Sequence, residues 1–155
     1  MVKAYFLDSS ALLKRYVSET GTAWIQFLTA QSSGNLLVIA RITWVEILSA
    51  LARRQREGSL SSNQVSQILQ AFRYHFDTQY QKVELLPTVT QMAGELVSRH
   101  PLRAYDAVQL ASALCILPQF SQANTMAFTF LTADERLLAV AQIENLITDN
   151  PNYHP

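Results

Sequence analysis

Short apolar runs alternate with longer stretches of helical periodicity along this chain, and no run of consecutive apolar residues exceeds five. Val2 to Leu7, rich in Val, Tyr and Phe and ended by Asp8-Ser9-Ser10, predicts a strand. A short helix from Ser10 to Val17 follows, then a second from Thr22 to Ala30 with Trp24, Ile25, Phe27 and Leu28 at helical spacing. Leu36 to Ala40, opened by Gly34-Asn35, predicts a buried strand. Long helices are expected over Ile42 to Glu57, stopped by Gly58, and over Ser62 to Gln79. Val83 to Leu86 reads as a third strand. Pro87 opens a helix to His100, with Thr88 and Gln91 in capping-box spacing. Arg103 to Leu117 is a further helix and Ala127 to Leu131 a strand. Thr132-Ala133-Asp134-Glu135 is a capping box for a helix through Ala141, and Leu146 to Thr148 is a short edge strand.

Strands of four to six residues without alternating polarity, separated by helices, predict an α/β fold. Its mainly parallel central sheet, of four to five strands, is covered on both faces. In such sheets the working site lies outside the carboxyl ends of the strands, at a topological switch point. The 155 residues suit one domain, over 1–149, with a loosely held tail at 150–155.

Composition narrows the function. Apolar residues are 49% and charged residues 15%, which describes a compact globule and excludes a charged disordered tail. The short apolar runs exclude a membrane span. The amino terminus meets a carboxylate at Asp8, so no signal peptide is expected. The single Cys115 cannot form an internal disulfide, and a reducing cytoplasmic setting fits. Twelve acids balance twelve bases, which argues against coating nucleic acid by bulk charge. Nine of those bases are arginine, the better bidentate partner for phosphate.

Four carboxylates stand in demanding places. Asp8 directly follows the first strand, and Asp134 sits in the first turn of a helix; each alone is explained by capping. Glu46 lies within Trp44-Val45-Glu46-Ile47-Leu48, where a carboxylate is costly without a partner, and Arg53 is two turns away. Asp106 stands among Ala104, Ala107, Val108, Leu110, Ala111 and Ala113, with Arg103 as a solvated ion-pair alternative. Gathered at one sheet edge, four carboxylates would raise one another's pKa values unless a cation intervened. Oxygen-only ligands suit Mg²⁺ or Mn²⁺, and His75, His100 and His154 have no metal-ligand spacing. Such an ion can lower the pKa of a water and clamp a phosphodiester, which is metal-dependent nuclease chemistry.

At these residues the chain resembles the PIN-domain family, and within it the VapC-type ribonuclease toxins of bacterial toxin–antitoxin pairs. The matching stretches are Tyr5 to Lys14, Glu46 to Leu51, Arg103 to Ala113, and Phe130 to Leu137, in the family's order and spacing. The resemblance implies a three-layer α/β/α sandwich and a metal-dependent endoribonuclease whose quartet is Asp8, Glu46, Asp106 and Asp134. Asp8 and Asp106 match best as direct ligands of Mg²⁺ or Mn²⁺. Glu46 resembles a ligand or water-orienting base, and Asp134 a position acting through water. Ser10 and Thr132 match hydroxyl positions that orient the acids. The products implied carry a 5′-phosphate and a 3′-hydroxyl. The partners implied are RNA, a small antitoxin whose tail covers the groove, and a second copy in a homodimer. Lys14, Arg15, Arg41, Arg103 and Arg136 lie in or beside the four blocks and are candidate RNA contacts, each with ordinary surface solvation as its alternative.

Rival readings separate on particular residues. A phosphoacceptor receiver domain needs a late lysine, and none follows Lys82. A haloacid-dehalogenase-like phosphatase needs a second aspartate where Ser10 stands. A non-catalytic PIN-fold module that only binds an antitoxin or RNA would not need all four acids. Phe72, Tyr74, Phe76 and Tyr80 read as core or, alternatively, as an interface for a second copy or an antitoxin.

Overall fold

The computed structural model describes residues 2–121 and 126–155. Five parallel strands form one sheet: β1 (Ala4–Leu7), β2 (Leu36–Ala40), β3 (Tyr80–Val83), β4 (Phe128–Leu131) and β5 (Thr148–Asp149). Their order is β3-β2-β1-β4-β5. Helices α1 (Ser9–Leu13), α2 (Thr22–Thr29), α3 (Thr43–Arg56) and α4 (Ser62–Thr78) cover one face. The other face carries α5 (Pro87–Arg99), α6 (Ala104–Ser121) and α7 (Glu135–Ile143).

The period-2 geometry of a strand explains why the runs are apolar throughout. Ala4 and Phe6 point into the core under α5, α6 and α7, while Tyr5 and Leu7 point into the core under α1 to α4. Both faces of each inner strand are therefore dry. No described helix is long and apolar enough to cross a membrane.

Several boundaries differ from expectation. The third strand lies earlier, over Tyr80–Val83 instead of Val83 to Leu86, because its register follows β2, with Leu37 opposite Tyr80 and Ala40 opposite Val83. Leu85 and Leu86 are left exposed beyond the strand end. The expected capping box at Thr88 is absent: Leu86 is the N-cap, without a side-chain bond, and Pro87 opens the helix with its fixed φ. Helix α7 is capped by Asp134, not Thr132, whose hydroxyl is committed elsewhere. A capping box does form where none was expected, at Ser61 and Gln64. Helix α6 continues past Leu117 and contains Pro118. The last strand is Thr148–Asp149 and not Leu146 to Thr148.

Residues 150–155, expected to be loosely held, pack against α2. Asn150 and Pro151 are buried, and the Trp24 and His154 rings stack with centroids 3.9 Å apart. Tertiary burial of two side chains and a ring outweighs the freedom of a chain end. Phe72, Phe76 and Tyr80 are core residues, and Tyr74 is exposed.

Candidate active site

The sheet order places β1 beside β4, with Leu7 opposite Leu131, while successive strands run outward on either side. That is a switch point, and the residues just beyond it are Asp8 and Thr132. Asp8 is 3% exposed and caps α1. Its Oδ1 accepts from the Ala11 N–H at 2.8 Å and the Ser10 hydroxyl at 2.7 Å, and its Oδ2 accepts from Thr132 at 2.6 Å. Ser10 also accepts the Ala133 N–H at 2.9 Å, so it fastens the end of β4 to the start of α1. Burial pushes the Asp8 carboxyl up to about 6; the three hydrogen bonds pull it down, and the charge of Glu46 pushes it further up.

Glu46 is in the first turn of α3 and half-buried. Ser9 donates to its Oε2 at 3.0 Å and Gln109 to its Oε1 at 2.7 Å. Burial raises its pKa, those two donors lower it, and Asp106 raises it. Asp106 opens α6; burial raises its pKa, Asp134 raises it further, and Arg103 lowers it without an ion pair among the described residues. Asp134 takes the Arg136 and Leu137 N–H groups on Oδ1, at 2.8 and 3.3 Å, as the cap of α7. The four acids predicted from sequence are thus linked in a chain of repulsions, Asp8 to Glu46 to Asp106 to Asp134. They do not form a closed cage: among the described residues no three of them come close enough to grip one ion as they stand.

With this arrangement in view, the sequence pattern of the PIN domain matches residues 5–143. The chain belongs to the PIN-domain family and is of the VapC type. Two curated relatives are ribonucleases VapC45 and VapC49 of Mycobacterium tuberculosis, each 33% identical over 111 residues, covering 72% of this chain and 75% of the relative. Among solved structures, VapBC2 from Rickettsia felis bound to a promoter DNA fragment superposes with a TM-score of 0.62 at 16% identity, over 95% of this chain and 98% of that one. A toxin–antitoxin complex from Klebsiella pneumoniae gives 0.56 at 16% identity, over 87% and 90%. The three-layer sandwich expected from sequence is the fold of this PIN domain.

Beside the acids the PIN domain opens a groove of about 780 Å³. Ser9, Ser10, Glu46 and the Glu19–Arg54 ion pair line it, with the exposed Arg53, Arg103, Val45, Leu85 and Tyr105. The candidate RNA contacts divide. Arg103 is on the groove and exposed. Lys14 also reaches it but is 5% exposed and paired with Glu19 at 3.1 Å, so it is structural. Arg15 turns the other way and donates to Gln79 at 2.8 Å and Tyr80 at 2.6 Å. Arg41 is paired with Glu84, and Arg136 is exposed beside Asp134 without lining the groove. Arg53, exposed on the groove, was not read as an RNA contact because an arginine at the end of a helix looks like any solvated charge, and Arg54 is paired with Glu19.

Ser9 and Gln109, the donors to Glu46, were missed as well. Gln109 carried a readable signal: an amide among Ala107, Leu110, Ala111 and Ala113 has the same unlikely company that singled out Glu46.

Proposed function

We propose that this PIN domain is a Mg²⁺- or Mn²⁺-dependent endoribonuclease, the toxin of a toxin–antitoxin pair, hydrolysing RNA phosphodiesters to leave 5′-phosphate and 3′-hydroxyl ends. The observation that carries the reading is the buried Asp8 carboxyl at the switch point, hydrogen-bonded to Thr132 and Ser10, with Glu46, Asp106 and Asp134 following it as a chain of neighbouring like charges. Like charges brought together by separate elements are costly, and a shared divalent cation removes that cost. The donor set, all oxygen and without histidine or cysteine, fits a hard ion. Asp8 and Asp106 would hold it, with Glu46 beside them and Asp134 at the margin. When bound, it would supply a water of lowered pKa and neutralise charge at the phosphodiester.

The chain's own residues would do the rest. Ser10 and Thr132 hold both Asp8 oxygens in place, and Ser9 and Gln109 hold both Glu46 oxygens. Arg53 and Arg103, both exposed on the groove, would take the phosphates on either side of the scissile bond. The walls at Val45, Leu85 and Tyr105 would receive unstacked bases. Water oxygen bonds to phosphorus, the P–O3′ bond breaks, and the 3′ oxygen gains a proton.

The toxin role is supported by the VapC relatives and by the likeness to VapBC and other toxin–antitoxin complexes. A small antitoxin lying in the groove, and a homodimer, belong to the same proposal, as does a reducing cytoplasmic setting. The test is cleavage of a labelled RNA with Mn²⁺, with Mg²⁺ and with EDTA, followed by end-group analysis. Cleavage that persists in EDTA, or a 2′,3′-cyclic phosphate end, would overturn the mechanism. A protein that binds RNA or antitoxin but never cuts would establish the non-catalytic alternative.

A further inference from the structure

Gln109 is 1% exposed, on a helix whose other buried residues include Ala107, Leu110, Ala111 and Ala113. A primary amide in such surroundings costs free energy unless each of its groups is paired. Here the pairing is one-sided. Nε2 donates to Glu46 Oε1 at 2.7 Å and to Thr43 Oγ1 at 2.9 Å, while Oε1 is buried without a partner. Turning the amide over would offer its carbonyl to the Thr43 hydroxyl, but would also set that carbonyl against the Glu46 carboxylate. The donor on Glu46 therefore outweighs a satisfied carbonyl. For stability alone, an apolar side chain of similar shape would remove an unpaired buried carbonyl while withdrawing the donor from Thr43 and Glu46, so the two changes offset each other.

Position adds to the case. Asp106 lies one turn earlier on α6, so Gln109 ties the acid of α3 to the helix that carries another acid. Ser9 holds the second Glu46 oxygen at 3.0 Å from α1. Glu46 is thus oriented from two elements, and only Gln109 reaches it from the helix of Asp106.

We propose that Gln109 is a positioning residue of the active site, acting through Glu46: it fixes Oε1 from the helix that carries Asp106, so that an incoming divalent cation meets a carboxylate already held in place. The inference rests on the metal-dependent nuclease reading and deepens it. It assigns a function to a side chain that touches neither RNA nor reacting atoms.

The test uses the full chain with Gln109→Met, which keeps length and removes the donor, and Gln109→His, which returns a ring N–H at similar reach. Four quantities are measured: the thermal midpoint without metal, Mn²⁺ affinity by calorimetry without RNA, and kcat and KM on an RNA oligonucleotide. Gln109→Met is expected to shift the midpoint by no more than a few degrees, because loss of an unpaired carbonyl offsets loss of a donor, while Mn²⁺ affinity or kcat falls about 10–100-fold, the usual effect of removing a partner of a metal ligand. KM for RNA stays near the wild-type value, and Gln109→His recovers part of the loss. A Gln109→Met protein that binds Mn²⁺ and turns over like wild type would overturn the inference. So would a loss that follows the unfolded fraction alone, since that is a purely structural role. If the wild type itself neither binds Mn²⁺ nor cuts RNA, the nuclease reading fails and this inference falls with it; the wild-type control separates that result from the first two.

Discussion

The hydroxyl of Thr132 donates to Oδ2 of Asp8 at 2.6 Å, joining the residue after β4 to the residue after β1 across the switch point of the sheet. The same Thr132 oxygen accepts the Asp134 N–H at 3.1 Å. One small side chain thus links two of the four acids. Thr132→Val keeps the shape and removes both interactions, leaving a buried carboxylate short of a donor. The expected loss is about 1–3 kcal/mol of folding free energy at neutral pH. Urea denaturation of the metal-free protein measures it, and Thr132→Ser should restore most of it.

Asp8 has a direct pH consequence. Its carboxyl is raised from 3.8 to about 6, chiefly by burial, so the folded protein binds this proton more tightly than the unfolded chain does. Without metal, this group's contribution makes stability fall as pH rises from about 4 to about 6, by on the order of 3 kcal/mol. The burial shifts of Glu46 and Asp106 have the same sign. Asp8→Asn removes the Asp8 slope: in EDTA its stability should change less between pH 5 and pH 7 than the wild type's, while nuclease activity is lost. Parallel pH profiles for the two proteins would show that Asp8 does not carry an uncompensated charge.

Asp106 differs from Asp8 in having no hydrogen-bond partner among the described residues, while Asp134 repels it. Asp106→Ala should therefore abolish cleavage with little effect on the fold, keeping metal-free stability within about 0.5 kcal/mol of wild type. Mn²⁺ should raise the wild-type thermal midpoint by mass action and raise that of Asp106→Ala much less. A large destabilisation of the metal-free variant would point to a structural ion pair with Arg103 instead.

Gly21 controls the carboxyl terminus. Its φ is +86°, and a Cβ there would lie 2.3 Å from the backbone oxygen of Pro151. Gly21→Ala meets both the left-handed backbone and that clash, at a cost of about 1–3 kcal/mol. Limited proteolysis should then release residues 150–155 before the rest of the chain unfolds, with Trp24 fluorescence reporting the loss of the His154 ring.

The sequence by itself determined the alternation of strands and helices, and it singled out four acids. Apolar runs too short for helices, and carboxylates in apolar company, are local signals that need no knowledge of contacts. Glu46 and Asp106 could be named because a charge among Leu, Val and Ala already demands a reason, whereas Asp8 and Asp134, each explained alone by capping, entered through the joint pattern and the family resemblance. The end of β3 was not legible, since Val83 to Leu86 is as strand-like as Tyr80–Val83, and only pairing with β2 chooses between them. Lys14, Arg15 and Arg54 look alike in one dimension. Only packing turns Lys14 and Arg54 to Glu19 and Arg15 to Tyr80. Tertiary structure also drew the tail under α2 and set Gln109 on Glu46. The physical reason is that periodicity and burial cost are properties of neighbours along the chain. Hydrogen-bond partners, register and shared fields join residues up to 124 positions apart, as Thr132 and Asp8 are, and depend on how the elements come together.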